Sequence, residues 1–127
     1  MDIAVLSSNS AVYCVALGDL ATARDFAGDG LRFARQAELG LYTAIALQHL
    51  ALLAALSGHG QHAARLLGYV DAKYAELGYE REGTEQWGYD KLIAALGESL
   101  SHKDNASFAA QGARWSEDQA VLEAMSD

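Results

Sequence analysis

Residues 41–77 read LYTAIALQHLALLAALSGHGQHAARLLGYVDAKYAEL. This stretch predicts two helices, Leu41 to Ser57 and Gln61 to Leu77, joined by the turn Gly58-His59-Gly60. The first helix is apolar on nearly every side. The second carries one stripe, Ala63, Leu66, Leu67, Val70, Tyr74 and Leu77, at helical spacing. A helix that is apolar all round must be covered on more than one flank. The hairpin therefore needs helical neighbours.

Upstream, a helix from about Ile3 to Leu17 sets Ile3, Leu6, Tyr13 and Leu17 on one face and Val5, Val12 and Val15 on another, before a stop at Gly18-Asp19. A second helix, Leu20 to Glu38, repeats Leu20, Ala23, Ala27, Leu31 and Ala34, widened by Phe26, Phe33 and Ala37. Gly40 is expected to end it, and Gly30 to be a close-packing position or a local irregularity. Downstream, Tyr79 to Gly83 is a charged connector. A helix capped by Thr84 runs to about Leu100 with Trp87, Leu92, Ile93 and Leu96 inward. Asp104 caps a short helix, Asn105 to Gln111, which Gly112 breaks. Ser116 and Gln119 have capping-box spacing and start a last helix with Ala120, Val121 and Ala124 inward. The expected fold is all-α, with about seven helices.

Composition narrows the function classes. The 127 residues are 51% hydrophobic and lack proline, which excludes a disordered chain and favours helix. Net charge is −8, and from residue 76 onward 11 acids face 4 bases. No basic stripe is visible, so neither direct nucleic-acid binding nor an anionic membrane surface is expected. Cys14 is the only cysteine, so an intrachain disulfide is excluded and a reducing cytoplasm fits. The N-terminus lacks a signal-peptide pattern, and the apolar run Ala44 to Leu56 is too short to span a bilayer.

An internal repeat is present. Residues 16–31, ALGDLATARDFAGDGL, align with the region of residues 55–70, ALSGHGQHAARLLGYV, at a 40-residue offset that matches Gly18 with Gly58 and Ala23 with Ala63. Two helices and a small-residue turn per repeat are the pattern of an α-solenoid.

At these residues the chain resembles a tetratricopeptide-like repeat. The small residue late in the first helix, the turn and the alanine early in the second are Ala11, Gly18-Asp19 and Ala23, then Ala51, Gly58-His59 and Ala63. From Ala63, the segments AARLLGYVDAKYAELG, WGYDKLIAALGESL and FAAQGARWSEDQAVLEA look like the C-terminal end of large bacterial ATP-binding transcriptional regulators of the LuxR-type and winged-helix kinds. The resemblance implies two hairpins, 1–40 and 41–78, followed by capping helices over 79–127, all in one domain. It implies a protein-interaction or scaffolding part of such a regulator, or alternatively its effector-sensing domain. The GxxxxGK[ST] nucleotide motif and a basic recognition helix are absent.

Peptide-clamping repeats of this kind grip a carboxylate with cations on the groove-facing helices. Here the matching positions, Ser8, Val12, Gln48 and Leu52, lack them. The groove candidate is instead apolar, Val5, Val12, Ile45 and Leu52, with Gln48 and His49 as further partner contacts. The partner is a protein or a second copy of this chain, through apolar surface left on the first two helices.

Candidate chemistry is sparse. His59-x-x-His62, with His49 nearby, has no carboxylate or thiol at supporting spacing, so turn histidines in solvent are expected rather than a metal site. Cys14 has no base or anion site beside it and reads as a small buried core residue. Asp25 with Asp29, and Glu80, Glu82 and Glu85, read as a solvated acidic face. Trp87 and Tyr89, with Trp115, are the candidate ligand pocket, weighed against simple core packing. No GxSxG, HExxH or CxxC pattern occurs. A non-catalytic, cofactor-free module is expected.

Overall fold

The computed structural model describes residues 3–126, with side chains from residue 9. It is all-helical over that range: α1 (Ile3–Ala16), α2 (Leu20–Gln36), α3 (Gly40–Leu56), α4 (Gly60–Leu77), α5 (Gly83–Ser99), α6 (His102–Gly112) and α7 (Glu117–Met125). The all-α class and the seven helices match expectation.

The first four helices end alike. Gly18, Glu38, Gly58 and Gly78 take left-handed φ values of 82°, 56°, 86° and 64°. After each, the next amide reaches back to a carbonyl five residues earlier. Asp19 N donates to Cys14 O, Leu39 N to Ala34 O, His59 N to Ala54 O and Tyr79 N to Tyr74 O, at 2.8–2.9 Å. These bonds satisfy carbonyls that a helix end leaves unpaired. The turns thus recur every 20 residues. Gly40 was expected to end α2, but Glu38 supplies the left-handed residue and Gly40 opens α3.

α3 sits at the centre, packed against α1, α2, α4, α5 and α7. Every residue from Thr43 to Leu53 is buried, which accounts for a helix with no polar face. α2 turns Ala23, Ala27, Leu31 and Ala34 inward, as its stripe predicts. Cys14 is only half-buried, at the margin of the core.

α4 and α6 meet backbone to backbone. A Cβ at Gly68 would overlap the Ala109 carbonyl, and one at Gly112 would overlap the Arg65 carbonyl. Gly112 was expected to break a helix; it is the last residue of α6 and a contact point with α4.

Two helix starts differ from expectation. α6 begins earlier because Ser101, not Asp104, is its cap, its Oγ accepting from the Asp104 amide at 3.1 Å. α5 begins after Glu82; the Thr84 hydroxyl points instead to Asn9 Oδ1 on α1, at 3.1 Å. Along α5, Gly88, Leu92 and Leu96 are buried, while Trp87 and Ile93 are each 40% exposed. The inward stripe therefore runs 88, 92, 96, and Trp87 falls to its side.

Candidate functional site

The expected groove wall is Val5, Val12, Ile45 and Leu52, with Gln48 and His49 beside it. Val5 lies where side chains are outside the described residues. Val12, Ile45, Gln48, His49 and Leu52 are all buried, so none of these five lines an open groove. The physical reason is α5. It lies on α3 so closely that a Cβ at Gly88 would meet Gln48 and Leu52 at van der Waals distance, so the chain's own helix occupies that face.

Arg81 is the hub of this seam. Its Nε donates to Gln48 Oε1 at 2.5 Å and its Nη2 to Asp71 Oδ1 at 2.6 Å. The guanidinium also lies over the rings of Tyr89, at 4.0 Å, and Tyr74, at 4.7 Å. Gln48 Nε2 in turn donates to the Glu85 carbonyl at 3.0 Å. One side chain thus ties the connector to α3, α4 and α5.

Glu85 departs from the expected solvated acidic face. It is half-buried and accepts from the Tyr79 hydroxyl at 2.6 Å. Burial raises its carboxyl pKa, opposed by the Tyr79 hydrogen bond and the Arg81 charge. Burial also pushes the Tyr74 and Tyr79 phenols up. Among the described residues, Tyr74 Oη and Glu85 Oε2 are buried without a hydrogen-bond partner.

The three candidate pocket aromatics have different neighbours. Tyr89 lies under Arg81, and Trp87 is flanked by Lys91 at 5.5 Å. Trp115 lines a shallow recess of about 230 Å³ with Tyr69 and Lys73 of α4.

The histidines also diverge. His49 is 3% exposed on α3, and burial alone pushes its pKa down to about 4, which keeps it neutral. His59 is exposed in its turn as expected, whereas His62 is half-buried on α4. Among the described residues, no three His, Cys, Asp or Glu side chains are grouped to hold a metal ion. His59 and His62 instead border a cleft of about 470 Å³ together with Arg24, Leu50, Ala54 and Ala124. Alternating turn and helix positions hid this cleft in the sequence, since α2, α3, α4 and α7 each contribute to it.

At the other end, α1 buries Ala11, Val12 and Val15 but leaves Tyr13 68% and Leu17 84% exposed. No helix among the described residues is long and apolar enough to cross a membrane. Arg81 had one legible signal, being the single base in the acidic connector between Tyr74, Tyr79 and Tyr89. Compared with known proteins, the chain matches no family model, no curated protein and no solved structure.

Proposed function

We propose that the chain is a non-catalytic protein-interaction module, a tetratricopeptide-like solenoid segment from the C-terminal part of a bacterial transcriptional regulator in the cytoplasm. The observation that carries this reading is the outward face of α1. By the 40-residue offset, Tyr13 corresponds to Leu53, which is buried. Tyr13 thus holds the repeat position that is covered in the central hairpin, and it is bare. A helix of the α2 kind, from a partner or from a second copy, would cover it. An exposed apolar pair of this size is a modest patch, suited to a weak or extended contact.

The test is sedimentation of the chain over a range of concentrations, beside Tyr13→Lys/Leu17→Lys. Reversible association that the double variant abolishes is expected. A strict monomer at millimolar concentration would count against the self-association form of this reading.

A second reading, an effector-sensing domain, is favoured by one observation, the cleft beside His62. Its volume lies within the ordinary range for small-molecule sites.

A further inference from the structure

We propose that α5 is an autoinhibitory strap: it occupies the α3 face at Gln48 and Leu52 that would otherwise receive a partner's helix, and it lifts from that face before the rest of the fold opens. The inference rests on the protein-interaction reading and does not involve the α1 face.

The repeat order shows what is unusual about α5. By the 40-residue offset, Gly88, Leu92 and Leu96 correspond to Gln48, Leu52 and Leu56 of α3. α5 is thus the first helix of a third hairpin. In the two hairpins before it the first helix packs on the second, α1 on α2 and α3 on α4. Among the described residues, α6 does not cover α5 in this way. It packs on α4 instead, backbone to backbone at Gly68 and Gly112. The consequence shows residue by residue. Leu47 and Leu53 of α3 are 0% and 4% exposed, while their counterparts Trp87 and Ile93 are each 40% exposed. α5 is held chiefly by α3, with lighter contact to α4 and α1.

The attachment is uneven. Gly88, Leu92 and Leu96 are the buried residues of α5, whereas α3 buries every residue from Thr43 to Leu53. The three recur at four-residue spacing and make a single narrow ridge. The polar ties gather at the N-terminal end: Gln48 to the Glu85 carbonyl, Thr84 to Asn9, Tyr79 to Glu85, and Arg81 to Gln48 and Asp71. The helix lies between Gly83, at a left-handed φ of 53°, and Leu100, extended at φ −129°. Breaks in helical geometry at both ends let the helix between them move as one body. Few buried contacts and an open flank are the marks of a segment that opens below the global stability. The seat it leaves fits an amphipathic helix with α5's own anchors, a small residue and two leucines four positions apart.

Native-state hydrogen exchange of the full chain, and fluorescence anisotropy with a labelled peptide of residues 79–99, test this. The α5 amides should exchange at least roughly tenfold faster than the central α3 amides, with a smaller dependence on denaturant. The peptide should bind saturably, and its Leu92→Ser/Leu96→Ser form should not. Gly88→Ala in the chain adds a Cβ at ordinary contact distance from Gln48 and Leu52 and raises helix propensity. It should close the strap and weaken the peptide roughly fivefold. Arg81→Ala in the chain should loosen the strap and tighten the peptide roughly tenfold or more, since the peptide brings its own arginine to Gln48 and Asp71. Exchange of α5 and α3 as one unit would overturn the strap while leaving the α1-face reading intact. Separate opening of α5 without saturable peptide binding would overturn the seat, and with it the protein-interaction reading at α3. Peptide affinity moving in the same direction in both variants would overturn the competition between strap and partner.

Discussion

Gly68 of α4 faces the carbonyl of Ala109 on α6 so closely that no side chain fits between them. Gly112 of α6 makes the reciprocal approach to the Arg65 carbonyl. Each glycine lies three residues from the carbonyl that the other meets, Gly68 from Arg65 and Gly112 from Ala109, and together they let two helix backbones touch. The obstacle at each is backbone, which cannot swing away as a flexible side chain would.

Gly68→Ala should therefore be strongly destabilising, by about 3 kcal/mol or more, at the upper end of overpacking effects. Gly97, inside α5, is the control, because nothing lies within 4 Å of its Cβ direction. Gly97→Ala should stabilise by about 0.5–1 kcal/mol through helix propensity alone. Urea unfolding of the pair checks both signs. Gly68→Ala at wild-type stability would mean that α4 and α6 do not approach in this way.

Glu38 takes the left-handed conformation that Gly18, Gly58 and Gly78 take at the matching turns. A side chain there carries about 1–2 kcal/mol of strain relative to glycine. Glycine's larger unfolded-state entropy offsets part of that. Glu38→Gly should raise stability by about 1 kcal/mol, read as a shift in the urea midpoint at unchanged slope. An unchanged or lower midpoint would show that the turn is relaxed as it stands.

The helix count, the α2 stripe, the α4 stripe up to Tyr74 and the need to cover α3 were legible because each depends on a local 3.6-residue period; Leu77, expected in the α4 stripe, is 47% exposed at the helix end. Gly18 and Gly58 were legible as turns because glycine is the usual left-handed residue. Glu38 was not, since the same backbone geometry is there adopted by a residue that gives no turn signal. The groove failed for a different reason. Gln48 and Leu52 share the α3 face onto which α5 folds back, and that return is a tertiary fact with no local period. The connector hid Arg81 in the same way, since its partners Gln48 and Asp71 are 33 and 10 residues away.

Arg81 should be the most costly charged residue to remove. Its side chain is only 13% exposed, while Asp71 is 44% exposed, so the ion pair itself is partly screened. The larger loss is the unpaired Gln48 amide oxygen and the bare Tyr74 and Tyr89 ring faces. Arg81→Ala should cost about 2–3 kcal/mol. Arg81→Lys should recover less than half of this, since an ammonium cannot serve two acceptors and two rings with the planar guanidinium's geometry. Full recovery by lysine in thermal unfolding would reduce the hub to simple charge pairing.

His49 makes stability depend on pH. Burial pushes its pKa from 6.5 down to about 4, so the folded chain binds fewer protons than the unfolded chain between those values. Stability then rises with pH across that window: the contribution is complete above about pH 6.5 and is lost as the pH falls toward 4. Between pH 7.5 and pH 5 the loss amounts to about 2 kcal/mol. Glu85 works the other way, because its raised carboxyl pKa favours the folded state as acid is added, and it trims the net slope. His49→Leu removes both the titration and the unpartnered Nε2. It should therefore be more stable than the parent by about 1 kcal/mol at pH 7.5. Its acid limb should also be flatter, with most of the drop between pH 7.5 and 5 gone. The same drop in His49→Leu, measured by urea unfolding at the two pH values, would place the acid sensitivity on another group.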